Sequence, residues 1–271
     1  MLAVKLLMAA ALVASAGKPV VTIHPDDMMD SPQPKAPLAQ WSNAAGRERT
    51  TLEVEGALLR GYVYPGAKGD APVLLMFGGS GNLIKRHDAA ARGFARYASR
   101  VVWYDYRGYG FSSGTAHFTS LRSDALRIYD AVKRQSGNAG VIVLGYSMGT
   151  AIAEYVALHR DVAGLILAAP WNDIVAASEY QDPKHTYRLA TDAATLFDEI
   201  AMVEQIHAPL LVFQGTKDDA IPPTQGPALE RDAASHDKRF VPIEGAKHDW
   251  LLKNPQSQRA VEAFFRTVTQ H

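Results

Sequence analysis

With 271 residues, 47% of them hydrophobic, the chain can fold as one compact domain with a sizeable core. Its 28 basic and 28 acidic residues balance, so it lacks the positive footprint of a nucleic-acid partner. It has no cysteine, which excludes disulfides, thiolate catalysis and Cys-based metal sites.

The opening stretch, MLAVKLLMAAALVASAGKP, places Lys5 ahead of an apolar run from Leu6 to Ala14 and then Ala14-Ser15-Ala16. That layout predicts a secretory signal peptide over residues 1–16, cleaved before Gly17, and a secreted or periplasmic protein. The apolar run is too short to cross a bilayer comfortably, so no stable membrane span is expected. Residues 17–49, rich in Pro, Asp and Gln, read as an irregular lead-in to a domain over 50–271.

In TTLEVEGALLRGYVYPG, two short strands fold about Gly56. Strand-like and helix-like segments then alternate. The spacing predicts strands at Val73–Phe77, Val101–Tyr104, Val141–Leu144, Leu165–Ala168, Leu210–Phe213 and Phe240–Ile243. It predicts helices at His87–Ala98, Ser120–Gln135, Thr150–His159, Pro227–Ala234 and Ser257–Val268. This is an α/β pattern: a mostly parallel central sheet with helices on both faces and a site beyond the strands' carboxyl ends. Only 171–209 breaks the rhythm, as a short cap segment.

Within VIVLGYSMGTAIAEYVALH, an aliphatic strand gives way to a helix across Gly145-Tyr146-Ser147-Met148-Gly149. The chain must reverse within about one residue there, and a side chain at 145 or 149 is expected to collide with the opposite arm. Only Ser147 then projects. Its plain role is a helix cap; its chemical role is a nucleophile. A serine nucleophile needs a base, and the base needs a carboxylate to fix its tautomer. LLVFQGTKDDAIP supplies Asp218 and Asp219 just past one strand, and FVPIEGAKHDW supplies His248 just past another. His87, His117, His159, His185, His207 and His236 show no pairing at metal-ligand spacing, and no metal is expected. The glycines at 78, 79 and 81 lack the Gly-Lys-Ser/Thr ending of a phosphate loop, and no cofactor is expected. Trp171, Tyr180, Tyr187 and Phe197 in the cap segment either pack or line an acyl pocket.

From roughly Leu52 to the C-terminus the chain resembles the α/β-hydrolase family, near its single-domain serine esterases and acyl-protein thioesterase-like members. GYSMG matches the family's nucleophile elbow at Ser147, and GAKH matches the histidine loop at His248. GTKDDAIP matches the G-x-x-D acid loop, which selects Asp218 and leaves Asp219 to turn the loop. DYRGYGFSSG, with Asp105, Arg107, Gly108, Gly110 and Gly114, matches a loop after the fourth strand, read as structural and shaped by a buried Arg–Asp pair. In LLMFGGSGNL, Phe77 stands where the family usually has histidine, so the loop lacks one side chain that commonly ties it down. By position, the backbone N–H groups of Gly79 and Met148 form the oxyanion hole.

The resemblance implies a serine hydrolase that cleaves carboxylic esters or thioesters through an acyl-enzyme, on a small-molecule or acylated substrate. A peptidase or lipase of the same fold uses the same parts. A non-catalytic binding protein of this fold usually lacks a triad member, and none is missing here. A halide-releasing hydrolase wants Asp at 147.

Overall fold

The computed structural model describes residues 20–23, 26, 35–81, 84–181, 188–191 and 198–269. The expected signal peptide, His185, Tyr187 and Phe197 lie outside them.

An eight-stranded sheet organises the chain. β2 (Glu48–Val54) and β3 (Ala57–Pro65) form an antiparallel hairpin about Gly56, whose φ of 74° suits glycine. β4 (Val73–Phe77), β5 (Arg100–Tyr104), β6 (Val141–Tyr146), β7 (Gly164–Ala168), β9 (Leu210–Gly215) and β10 (Lys238–Ile243) follow. The spatial order is β10-β9-β7-β6-β4-β5-β3-β2, parallel from β10 through β5 and antiparallel at the β5–β3–β2 edge. Five of the six expected parallel strands gain a residue or two at an end; β4 matches outright.

β4, β6, β7 and β9 are buried along their whole length, which is why they read as unbroken aliphatic runs. Alternate residues face opposite layers. Leu75, Val143, Leu165 and Val212 join the core beneath α2 (Phe118–Ser136), α3 (Gly149–His159) and α6 (Gln225–Asp232). Leu74, Ile142, Ile166 and Leu211 join the core beneath α1 (Ile84–Phe94) and α7 (Pro255–Val268). Between β7 and β9 the cap segment carries α4 (Ile174–Gln181), β8 (Arg188–Thr191) and α5 (Glu199–Val203).

One strand lies inside the expected irregular lead-in. β1 (Val20–Ile23) pairs in parallel with β8, with Val20 opposite Arg188 and Ile23 opposite Thr191. Its Val-Val-Thr-Ile sequence is β-branched throughout, and that local preference outweighed the flanking polar composition.

Chain order along the sheet reverses between β4 and β6, which are neighbours although β5 lies between them in sequence. A crevice opens at such a switch point, beyond the strands' carboxyl ends. The 78–81 loop follows β4 and Ser147 follows β6, with Phe77 paired to Gly145, so the topology sets these two loops side by side.

The loop after β5 is shaped differently from the expected Arg–Asp pair. Arg107 forms a two-point ion pair with Asp124 on α2, at 2.6 and 2.5 Å. Asp105 turns inward, 2% exposed, and accepts the Ile84 N–H at 2.9 Å and the Phe111 N–H at 3.0 Å. Burial pushes its pKa up to about 6 against the pull of these two donors. Gly110 sits so close that a Cβ there would lie 2.0 Å from Asp105 Oδ2, with φ at 49°. Asp105→Ala strands two buried N–H groups and is expected to lower unfolding stability by about 2–4 kcal/mol in urea titrations.

Candidate active site

Ser147 is held in a conformation that L-residues rarely adopt, with φ at 54°. Its N–H donates to Ala168 O at 2.9 Å, and its carbonyl accepts the Thr150 N–H at 2.8 Å and the Thr150 hydroxyl at 2.6 Å. These bonds clamp the reversal from β6 into α3. The expected collisions are present, though they fall on two partners. A Cβ at Gly145 would lie 2.4 Å from Gly149 O, on the opposite arm. A Cβ at Gly149 would lie 2.3 Å from Phe77 O and 2.6 Å from Gly78 O, against the end of β4. The second glycine therefore also permits the 78–81 loop to approach α3.

Asp218 follows β9 and is 1% exposed. Its Oδ1 accepts the N–H groups of Ala220 and Ile221, each at 2.9 Å, so the loop's own backbone orients the carboxyl. His248 Nδ1 lies 3.1 Å from Asp218 Oδ1 and 3.0 Å from Oδ2. A carboxylate on Nδ1 selects the tautomer protonated there and leaves Nε2 as the basic nitrogen. Asp219 points elsewhere, half-exposed, 3.4 Å from Lys247 Nζ. Burial works against ionisation of Asp219, but Lys247 and nearby backbone N–H groups hold its carboxyl below the usual range.

Tyr146 joins the serine turn to the histidine loop. Its buried hydroxyl donates to His248 O at 2.9 Å, and the two rings lie 5.1 Å apart. Behind it stands His87, whose ring is 5.7 Å from Tyr146 and 5.6 Å from Trp103. Burial lowers the His87 pKa to about 4, so a neutral ring backs the site at neutral pH. The sequence marked both residues only by type.

At the other expected positions, Gly79 and Met148 N–H have no hydrogen-bond partner among the described residues. Tyr180 is 44% exposed and its hydroxyl donates to Asp218 O at 3.0 Å. Trp171 is buried at 3% exposure, against Glu199. The 78–81 loop is tied from another loop: Tyr106 donates its buried hydroxyl to Gly78 O at 2.7 Å.

Beneath the serine turn lie two carboxyls absent from the sequence-based site. Glu154 on α3 and Glu199 on α5 are both 0% exposed. Burial drives both pKa values well above the ordinary glutamate range, and for Glu154 the adjacent Glu199 adds to it. Thr150 Oγ1 stands between, 3.0 Å from Glu199 Oε1 and 2.6 Å from Ser147 O. Its single proton can serve only one acceptor, so a protonated Glu199 donating to Thr150 completes the chain to the Ser147 carbonyl. Each carboxyl keeps its proton in the fold after the unfolded chain has released it, above about pH 4.5. Their stabilisation is therefore complete below that pH and declines as pH rises toward the folded pKa. Glu154→Gln is expected to flatten this decline, so the difference in Tm between variant and native chain grows in the variant's favour from pH 5 to pH 9 by calorimetry.

Comparison with known proteins bears on the family and the fold. The family described as Serine aminopeptidase, S33, a hydrolase family, matches residues 70–197. An uncharacterized protein of Mycobacterium tuberculosis is 30% identical over 218 residues, covering 79% of this chain and 76% of that one. The lysophosphatidylserine lipase ABHD12 of Macaca fascicularis is 26% identical over 254 residues, covering 84% of this chain but 61% of the lipase. Among solved structures, ferulic acid-bound Est1E of Butyrivibrio proteoclasticus aligns with a TM-score of 0.68 at 16% identity, covering 82% of this chain and 100% of Est1E. A soluble variant of monoglyceride lipase from Saccharomyces cerevisiae aligns at 0.66 and 15% identity, covering 87% and 98% of the two chains. At such low identity these structures speak for the fold. Sheet order, serine turn and sequence relatives agree: the chain belongs to the α/β-hydrolase family.

Proposed function

We propose that the protein hydrolyses carboxylic esters through an acyl-enzyme formed on Ser147. The observation that carries this reading is the His248–Asp218 pair, buried and bonded through Nδ1, whose histidine loop is tied by Tyr146 to the turn that holds Ser147 at φ 54°. Ser147 Oγ attacks the ester carbonyl carbon while His248 Nε2 takes its proton. Asp218 holds the ring in that tautomer and stabilises the imidazolium as it forms. The oxyanion accepts the N–H groups of Gly79 and Met148, which no group among the described residues uses. His248 returns the proton to the leaving alcohol, and water then releases the acid by the same steps in reverse.

Labelling with a fluorophosphonate is expected in the native chain and not in Ser147→Ala. That variant is expected to lose on the order of 10⁴-fold or more in kcat, and adding His248→Ala should cost little more, because the two act as one unit. Asp218→Asn should cost orders of magnitude by favouring the wrong tautomer. Asp219→Asn should lose at most about tenfold, roughly 1.4 kcal/mol of barrier. Equal damage at 218 and 219 would overturn the choice of acid.

For the acyl group we infer a small or surface-borne one, because the 171–209 segment is short and leaves little mass for a closing lid. p-Nitrophenyl butyrate is then expected to exceed the palmitate ester in kcat/KM. The name of one relative, a lysophosphatidylserine lipase, favours a lipid ester instead. A preference for palmitate, with activation at a lipid interface, selects that second reading.

A further inference from the structure

We propose that Tyr106 positions the oxyanion hole, fixing the Gly78–Gly79 peptide through its hydrogen bond to the Gly78 carbonyl. The inference rests on the serine-hydrolase reading above and assigns a role to a loop otherwise read as structural.

The geometry begins with the sheet. β4 and β5 are parallel neighbours, with Met76 opposite Trp103, so the residues just past their ends meet. Tyr106 stands two residues beyond β5 and Gly78 one residue beyond β4. The tyrosine hydroxyl reaches Gly78 O at 2.7 Å in a site closed to solvent. A peptide unit is planar and trans, so its N–H points opposite to its carbonyl. Holding Gly78 O thus fixes where the Gly79 N–H points, and no described acceptor takes that N–H.

The rest of the 78–81 loop offers little restraint of this kind. Among the described residues, Ser80 Oγ is buried without a hydrogen-bond partner, and Arg86 Nη1 reaches Gly81 O only at 3.5 Å in an exposed position. Glycines at 78, 79 and 81 add conformational freedom rather than remove it. Phe77 has no polar group to contribute. Tyr106, by contrast, is itself well held. It is 5% exposed, its carbonyl accepts the Tyr109 N–H at 2.9 Å, and its ring meets the Tyr109 ring edge-on at 6.0 Å. The Arg107–Asp124 pair and the Asp105 carboxyl anchor the same loop on either side. Burial keeps its hydroxyl protonated, so it remains a donor across the working pH range. A donor fixed in this way preorganises the N–H for the transition state, at no cost when charge develops.

The test compares native chain, Tyr106→Phe and Ser147→Ala with p-nitrophenyl butyrate, and measures binding of an alkyl trifluoromethyl ketone and of butyrate. Tyr106→Phe is expected to lower kcat by about 10–100-fold, with KM within about threefold. Affinity for the ketone, whose hemiketal oxyanion mimics the transition state, should fall by a similar factor while butyrate binding stays constant. A folded Tyr106→Phe with native kcat and ketone affinity overturns the inference. So does a fall in kcat matched by a rise in KM and weaker butyrate binding, the pattern of a merely structural residue. If instead Ser147→Ala hydrolyses the ester at the native rate, the serine-hydrolase reading itself fails. Should Tyr106→Phe not fold, 3-fluorotyrosine inserted at 106 keeps the hydroxyl and alters its donor strength. A changed kcat at constant KM then supports the role, and an unchanged kcat overturns it.

Discussion

The backbone of Ser147 is the constraint around which this molecule is arranged. A non-glycine residue at φ 54° is costly by itself, on the order of 1–3 kcal/mol, and persists only where its surroundings over-determine it. Here the surroundings are specific. Ala168 at the end of β7 takes the serine N–H, and Thr150 in the first turn of α3 holds its carbonyl twice over. Ala169, next along from Ala168, is itself at φ 50° and donates its N–H to Phe213 on β9. The two strained residues thus sit on adjacent strand ends, and β9 braces the neighbour that braces the serine. Strain of this kind is compatible with folding because four consecutive strands beneath it are fully buried.

The groups that converge on this turn come from loops far apart in sequence, and the sheet brings them together. β4 and β6 flank the switch point, which aligns the 78–81 loop with Ser147. The loop after β9 carries Asp218, and the loop after β10 carries His248. Tyr146 then spans from the serine turn to the carbonyl of His248, so His248 is tied to the residue beside Ser147 as well as to Asp218. Tyrosine suits both this tie and that of Tyr106, since a buried phenol supplies a rigid apolar body and one donor at a fixed reach.

Much of the fold is legible in the sequence. Aliphatic runs bounded by turn residues located the central strands, because a strand covered on both faces has no polar positions to confuse the pattern. The serine turn declared itself through its two glycines, which steric contact demands. A place just beyond strand ends offered His248 and both Asp218 and Asp219, and the resemblance to the family's acid loop chose Asp218 between the two. What escaped were contacts that join different loops or layers. Arg107 in the sequence has Asp105 two positions away, yet pairs with Asp124 on α2, because Asp105 is already committed to two backbone donors. Tyr106 stands in a glycine-rich turn stretch where nothing local shows that the β4 loop lies within reach. β1 was hidden because its partner, β8, lies more than 160 residues onward, and a four-residue strand is defined by its partner as much as by its own residues.

Glu154 and Glu199 escaped for a related reason, and they bear on why the serine turn is stable. A glutamate on a helix reads as a solvated residue, and only the packing of α5 against α3 removes both carboxyls from water. Two buried carboxylates side by side would repel strongly in a low dielectric, so the arrangement favours retention of protons. That protonation in turn frees the Thr150 hydroxyl to donate to Ser147 O, since a charged Glu199 competes for the same proton. The end of the cap segment, through α5, therefore bears on the conformation of the serine turn by way of a single threonine. Ser147 is held from above by the ends of β7 and β9, and from below by a threonine whose hydroxyl lies between its carbonyl and a buried carboxyl.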